Sequence, residues 1–592
     1  CTICWSHFSV KYKGLGDRVG HRQGPQHAAA ASEMALQSSV SSFIQTDSDD
    51  KVIEAETRSA CFLIKHNVPL GASDHATITR KIAQKYASKR SKTTAIIYHA
   101  LAPEFTQETI TASRSGPFTL RLDTSSDTED KLFLILIRHC HAQTGEIKVA
   151  LLDLPVCNIG TAESLLECVN VFKCFQIPWQ NVVALLCDST SVNVGQHNSL
   201  KTLIEKVSSA DLFTLGCTCH LISLCASKAA SALSIAVGDV LIRVFYYLDK
   251  SAKRKHLLKE YADFVGIEYR KILKRAPTRW LSLGRCVDRF LIMLPASCTF
   301  FCRKISTRKL LGIWLVKGPE VKLYMSFSSA NVPIFEEANK LFQYETPCIY
   351  LVNSALCDFM KKLLLRQIKP NVVADLGTQA RKLDFKNTDN QLPNSELFIG
   401  FSTKQYIQLN EELSNADVRK YYVNAFDYIV RKFPMEDTVL TCAGLMDYNQ
   451  RGRYTFQNVE TLIGKLSGSF TRQEMDALYD ESLSYEQTIT PCAHAGFLRQ
   501  DLLWGAISQI KNPVTGKAAC RTLTKLAQLV LTPPHSNADI EHFSMVHKNK
   551  TELRSSLSPG IHGALMKMKI NSLKADFCYN IPLTASLLQK AK

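Results

Sequence analysis

The sequence predicts a mixed α/β core followed by a long all-helical block, with a small metal-organised module at its start. Three observations carry this. Strand-like runs are confined to 118–215, where three come in succession and two more alternate with helical stretches. From residue 240 onward the strand signals fade and apolar residues recur at helical spacing. Ahead of both lies a C-x2-C pair, Cys1 and Cys4, followed about sixteen residues later by the H-x5-H pair His21 and His27, a spacing close to that of tetrahedral zinc modules.

The chain has 592 residues, 46% of them hydrophobic and 21% charged, with a mean hydropathy of -0.06. That composition belongs to a globular protein and excludes bulk disorder. Lysine and arginine exceed the acidic residues by 17, and a pI near 9.0 raises the expectation of a polyanionic partner. The longest apolar stretch, 229–248, is interrupted by Asp239 and Arg243. No segment therefore reaches the roughly 18 uncharged residues that a membrane-spanning helix needs, and no secretory signal is visible. The 20 cysteines are scattered irregularly, many inside apolar runs such as those holding Cys157, Cys187 and Cys286. This suits reduced core thiols in a reducing compartment.

Taken in order, residues 1–28 read as the zinc module, since so short a segment cannot build a core without metal. Residues 29–50 turn Ala/Ser-rich and then acidic, as a linker does. Residues 51–112 carry helical patterns, and Lys81, Lys85 and Lys89 fall at i, i+4 spacing beside Arg90 and Lys92. Such a stripe suits a solvated face as well as phosphate contact.

Residues 113–235 hold the strands. In 118–122, Phe118, Leu120 and Leu122 alternate with Thr119 and Arg121, and Asp123 ends the run. The runs 131–138 and 147–154 complete a meander around a turn at 143–145. Thr161 caps a helix whose apolar face is Leu165, Val169 and Phe172, and 182–187 is a buried strand ending at Asp188. Asn198 is expected to cap the next helix, and 212–215 is the last strand, leading into Cys217 and His220. Residues 236–500 are helical and 501–592 close the chain.

Two strand-terminal aspartates can converge on a divalent cation with oxygen ligands. They also suit turns and helix caps. Ser536 and Asp539 form a capping box that places Glu541 in the second turn of a new helix. Near the end, Ser558 and Pro559 start a helix with Ile561, Leu565 and Met568 on one side, a face that needs either a second copy or the chain's own core.

Several segments resemble the hAT superfamily of DNA transposases and their domesticated relatives: FTLRLDTSSD, ALLCDSTSVNVGQHNSL, GCTCHLISLC, TRWLSLGRC and PHSNADIEHFSMVHKNKTELRSSLS. The first module is similar to a BED-type finger. The resemblance implies an RNase H-like core split by an all-helical insertion, a C-terminal dimerisation region, a nuclear location and DNA as partner, with a homodimer or higher homo-oligomer. It implies a catalytic, Mg2+-binding triad of Asp123, Asp188 and Glu541, with Cys1, Cys4, His21 and His27 on Zn2+. The family's C-x2-H element matches Cys217 and His220, read as positioning an active-site loop. Its insertion tryptophan, which handles the DNA end, matches Trp280, a residue that also suits a plain core. Lys253, Arg254, Lys255, Lys271, Lys274 and Arg275 supply a basic region beside it.

Two departures bear on activity. After the first aspartate the family reads D-E-S, whereas this chain has Asp123, Thr124 and Ser125. At the third site the family reads E-R-x-F-S, whereas this chain has Glu541, His542, Phe543 and Ser544. One residue in a helix is about 100° of rotation, so Glu541 and Phe543 cannot both keep the family's facing. The reading is therefore a domesticated or decayed relative with weak or no cleavage. An active Mg2+-dependent transposase and a helical interaction scaffold are the alternatives.

Overall fold

A computed structural model of the protein describes residues 21–25, 27–28, 49–75, 86, 88–126, 130–188, 190–275, 281–302, 318–344, 346–374, 382–409, 415–466, 470–488, 499–512, 516–536, 557–572, 581 and 583–592. It is mostly helical, with one small mixed sheet of five strands. β1 (Phe118–Ser126), β2 (Lys131–Cys140) and β3 (Ile147–Asp153) form an antiparallel meander. β4 (Val182–Cys187) and β5 (Phe213–Gly216) lie parallel to β1 on its other side, giving the order β3-β2-β1-β4-β5. The change from antiparallel to parallel follows from connection length, because a hairpin can only reverse the chain, whereas a crossover containing a helix returns it in the same direction. The helix Ala162–Val169 makes the first crossover and Leu200–Ser208 the second.

Both faces of the sheet are covered. On one, Phe118, Leu120, Leu122, Ile135 and Leu185 pack against Leu165, Val169, Phe172 and Ile204 of the crossover helices. On the other lie Thr119, Arg121 and Arg138, all buried. Alternation in 118–122 suggests that Thr119 and Arg121 face water. They do not, because helices from the distant end of the helical block close over that face. One continuous apolar core runs from β4 and β5 through helices Thr218–Ala230, Val237–Asp249, Leu281–Cys302, Gly318–Leu341, Asn415–Lys432 and Arg521–Leu531.

Local signals explain the helix starts. The Thr161 side chain accepts from the Ser164 N–H, as an N-cap does. The next cap is Ser199 and not Asn198: Ser199 and Thr202 form a reciprocal capping box, while Asn198 takes a φ of 48° in the turn before it. Asparagine tolerates that left-handed conformation, so its place is the turn and the serine takes the cap.

The two ends of the chain share a core. Ile53, Ile64, Ile97 and Leu101 pack with Leu565, Met568 and Leu587. The face of helix Pro559–Ser572 assigned to a dimer contact is therefore covered by the chain itself, with Leu565 6% and Met568 2% exposed. Asn571 on this helix brackets the open edge of β3, accepting from the Leu151 N–H at 2.7 Å and donating to the Leu151 carbonyl at 3.0 Å. Lys567 pairs with Asp153 at 2.8 Å. An edge strand's orphan backbone groups need such partners, and the helix supplies them in cis.

Of the basic stripe, Lys81 and Lys85 lie outside the described residues. Arg90 pairs with Asp74 at 3.3 Å and Lys92 with the fully buried Glu56 at 2.6 Å. These two charges are held by the chain's own carboxylates. Among the described residues no helix is long and apolar enough to cross a membrane.

Candidate functional site

The site begins with the register of β1 against β4. Arg121 stands opposite Leu186 at the last paired position of these parallel strands, and Asp123 and Asp188 each follow two residues further on, near enough for Asp188 to raise the Asp123 pKa. Sequence places Asp123 at the end of its strand, but β1 continues through Ser126 and Asp123 is still paired with Leu134, because the hairpin with β2 runs past the last pairing with β4; Asp188 is the residue that follows β4. Asp123 is half-buried, and one of its oxygens accepts from the Thr124 N–H at 2.8 Å. Burial pushes its carboxyl up to about 7, the neighbouring Asp188 and Cys217 add to the rise, and the Thr124 N–H and Arg121 oppose it. A carboxylate held at this cost beside another is a place where a cation is welcome.

Asp188 is held differently. The Thr190 hydroxyl donates to its Oδ1 at 3.0 Å, and the Asn193 amide donates to the same oxygen. Its Oδ2 meets no donor among the described residues. Sequence reasoning missed both Thr190 and Asn193. The only signal was two polar residues in the short segment after a strand-terminal aspartate.

Cys217 sits at the N-cap position of helix Thr218–Ala230, half-buried, close enough to raise the Asp123 pKa. His220, one turn further along, is exposed. Of the two residues of the C-x2-H element, Cys217 is the one that bears on the Asp123 carboxyl.

Residues 531–536 cross the same face of the sheet. Arg138 donates to the Leu531 carbonyl at 3.4 Å, and Thr218 donates to the His535 carbonyl at 2.7 Å. His535 is fully buried. Burial, reinforced by the charges of Arg138 and Arg121, pulls its pKa down to about 3, so the ring is neutral and Nδ1 accepts from the Cys348 N–H at 3.3 Å. Ser536 donates to the Phe342 carbonyl. Glu541, Phe543 and the Asp539 half of the predicted capping box lie outside the described residues.

The hairpin between β2 and β3 anchors the return of the chain. Asp501 accepts from the Ile147 N–H at 2.7 Å, and Arg499 binds Asp501 at 2.6 Å and Glu146 at 3.0 Å. Gly145 and Gly505 meet backbone to backbone: a Cβ on Gly505 would stand 2.1 Å from the Thr144 carbonyl oxygen.

The basic set divides. Arg254 lies over the Tyr247 ring at 4.1 Å and donates to the Tyr247 carbonyl at 2.8 Å. Lys255 pairs with Asp249 at 3.0 Å. Arg275 is half-buried against Gly238, and burial lowers its pKa. Lys253, Lys271 and Lys274 are exposed, with Lys274 5.6 Å from the Tyr246 ring. Trp280 lies outside the described residues.

Of the zinc set, Cys1 and Cys4 lie outside the described residues, while the rings of His21 and His27 stand edge to face with centroids 5.1 Å apart. Among the described residues no group of three or more His, Cys, Asp or Glu side chains is placed to hold a metal ion. Asp123 and Asp188 are a pair, and each candidate metal set needs ligands from undescribed segments. No family model matches this chain.

Proposed function

We propose that this chain is a hAT transposase-like, DNA-binding nuclear protein with an RNase H-like core, whose Asp123 and Asp188 form a divalent-cation site with weak or no strand cleavage. The observation that carries the reading is the nearness of these two aspartates just past the last paired residues of the parallel strands β1 and β4, in a sheet ordered β3-β2-β1-β4-β5. The donor set fits a hard cation: two carboxylates, one with its charge penalised by burial and the other with an oxygen that no donor meets among the described residues. Mg2+ supplies Lewis acidity at a phosphodiester.

The chain's own residues do the rest. Thr190 and Asn193 orient Asp188 and Thr124 orients Asp123, and Glu541 is the third carboxylate of the proposed set. The one-residue shortening between Glu541 and Phe543 displaces either the carboxylate or its apolar anchor, which is why cleavage is weak. Lys253, Lys271 and Lys274 offer exposed charge to DNA phosphates, and Cys1, Cys4, His21 and His27 would hold Zn2+. A homodimer would use a surface other than the buried face of helix Pro559–Ser572.

The test is DNA binding as a function of salt, together with Mg2+-dependent cleavage of candidate terminal-repeat DNA. Salt-sensitive binding, weak cleavage lost in Asp188→Ala, and a rise when one residue is inserted between His542 and Phe543 are expected. Binding that ignores salt would favour the scaffold reading, and strong cleavage unchanged by the insertion would refute decay.

A further inference from the structure

We propose that Asn193, together with Thr190, determines which cation Asp188 accepts: by saturating Oδ1 the two residues leave the carboxylate a single oxygen to offer, which suits Mg2+ or Mn2+ and disfavours Ca2+. The inference rests on the carboxylate site proposed above.

The geometry points to a dedicated arrangement. β4 runs buried through Cys187 and the chain then turns at once into the short helix Ser191–Val194. Thr190 occupies the N-cap position of that helix, yet its side chain makes no capping bond there and donates to Asp188 Oδ1 instead. A threonine at an N-cap normally satisfies the helix's own free N–H groups, so this hydroxyl serves the carboxylate at the helix's expense. The single helical turn is closed by the Gly195 N–H donating to the Ser191 carbonyl at 2.9 Å. A Cβ on Gly195 would stand 2.4 Å from that oxygen, so only glycine fits so tight a close. Asn193 is thereby directed back, and its amide donates to the same Oδ1.

A carboxylate oxygen has two lone pairs for hydrogen bonds. Both on Oδ1 are taken, and Oδ2 meets no donor among the described residues. Asp188 can then bind through one oxygen only. Small octahedral ions such as Mg2+ accept single-oxygen carboxylates, whereas Ca2+ gains by taking both oxygens of a carboxylate into a larger shell. Removing Asn193 frees a lone pair on Oδ1 and should relax that discrimination.

The experiment is a Mn2+ titration of the full chain by electron paramagnetic resonance, with Ca2+ as competitor, on wild type, Asn193→Ala, Thr190→Val and Asp188→Ala. Wild type should bind Mn2+ in preference to Ca2+, and Asp188→Ala should lose that site. Loss of an outer partner typically weakens a metal about 10-fold or more, so Asn193→Ala should bind Mn2+ about 10-fold less tightly while its preference over Ca2+ falls by a similar factor. Thr190→Val should shift the same way, and it decides the matter if Asn193→Ala fails to fold. Equal weakening of both ions, or an unchanged preference, overturns this inference while leaving the carboxylate site standing. Wild type without a Mn2+ site, or Asp188→Ala binding as wild type does, overturns the carboxylate reading and this inference with it.

Discussion

Replacing Asp123 with asparagine should stabilise the metal-free protein at neutral pH and much less in mild acid. The folded carboxyl has its pKa raised from 3.8 to about 7, chiefly by burial. Between those values the folded chain keeps a proton that the unfolded chain has released, so stability falls as pH rises through the window and levels off above it. One pKa unit is worth about 1.4 kcal/mol, so ionising Asp123 costs the fold about 4 kcal/mol at pH 8 and roughly half of that near pH 5.5. Asparagine keeps the shape and the Thr124 N–H partner without the charge. Thermal unfolding of wild type and Asp123→Asn at pH 5.5 and pH 8 reads the difference, which should be clearly larger at pH 8. Saturating Mg2+ should narrow the gap by raising wild-type stability, because a bound cation offsets the same charge. An asparagine variant no more stable than wild type at pH 8, or a gap that does not grow with pH, would refute the argument from burial.

The remaining predictions concern the parts that hold the site in place. Met566 is fully buried beneath β2 and β3, so Met566→Ala should cost about 2–4 kcal/mol in denaturant unfolding. Sedimentation should show no change in association state; dissociation without loss of stability would restore the helix to an intersubunit role. Asp501 is 1% exposed and joins Arg499 to the Ile147 N–H, so Asp501→Ala should cost about 3 kcal/mol and speed hydrogen exchange of the 141–147 hairpin. Unaltered exchange there would show that the anchor is dispensable. Replacing Lys253, Lys271 and Lys274 by alanine should each flatten the salt dependence of DNA affinity by about 0.9 in the log–log slope; an unchanged slope would exclude them from the interface. His27→Ala should remove one equivalent of zinc from the full chain by metal analysis, and zinc retained at wild-type stoichiometry would remove the histidine pair from that site.

Much of this protein is written in local chemistry. The strands over 118–122, 131–138, 147–154, 182–187 and 212–215 are legible because apolar residues alternate or run unbroken between turn residues, and each has its counterpart in β1 to β5. The helix at Thr161 and the buried face Val418, Tyr421, Tyr422, Ala425 and Ile429 are legible for the same reason, since capping and 3.6-residue periodicity act over a few residues. Sequence places Asp188 correctly just after its strand but ends the first strand at Asp123, three residues short of where β1 stops; the nearness of the two aspartates required β4 to pair with β1 rather than with β3, a choice made by the crossover and not by either strand.

Where distant segments converge, the sequence was silent or misleading. Thr119 and Arg121 look solvent-facing within 118–122 and are buried because helices far along the chain cover them. Asn193 carries no sign of its partner until the turn after β4 folds back. Helix Pro559–Ser572 has an apolar side that calls for a cover, and sequence cannot say whether the cover is a second copy or the chain's own first helices. Periodicity reveals that a face must be buried, because burial of apolar area is favourable wherever it occurs. Which surface buries it depends on contacts hundreds of residues apart, and only the tertiary structure decides those.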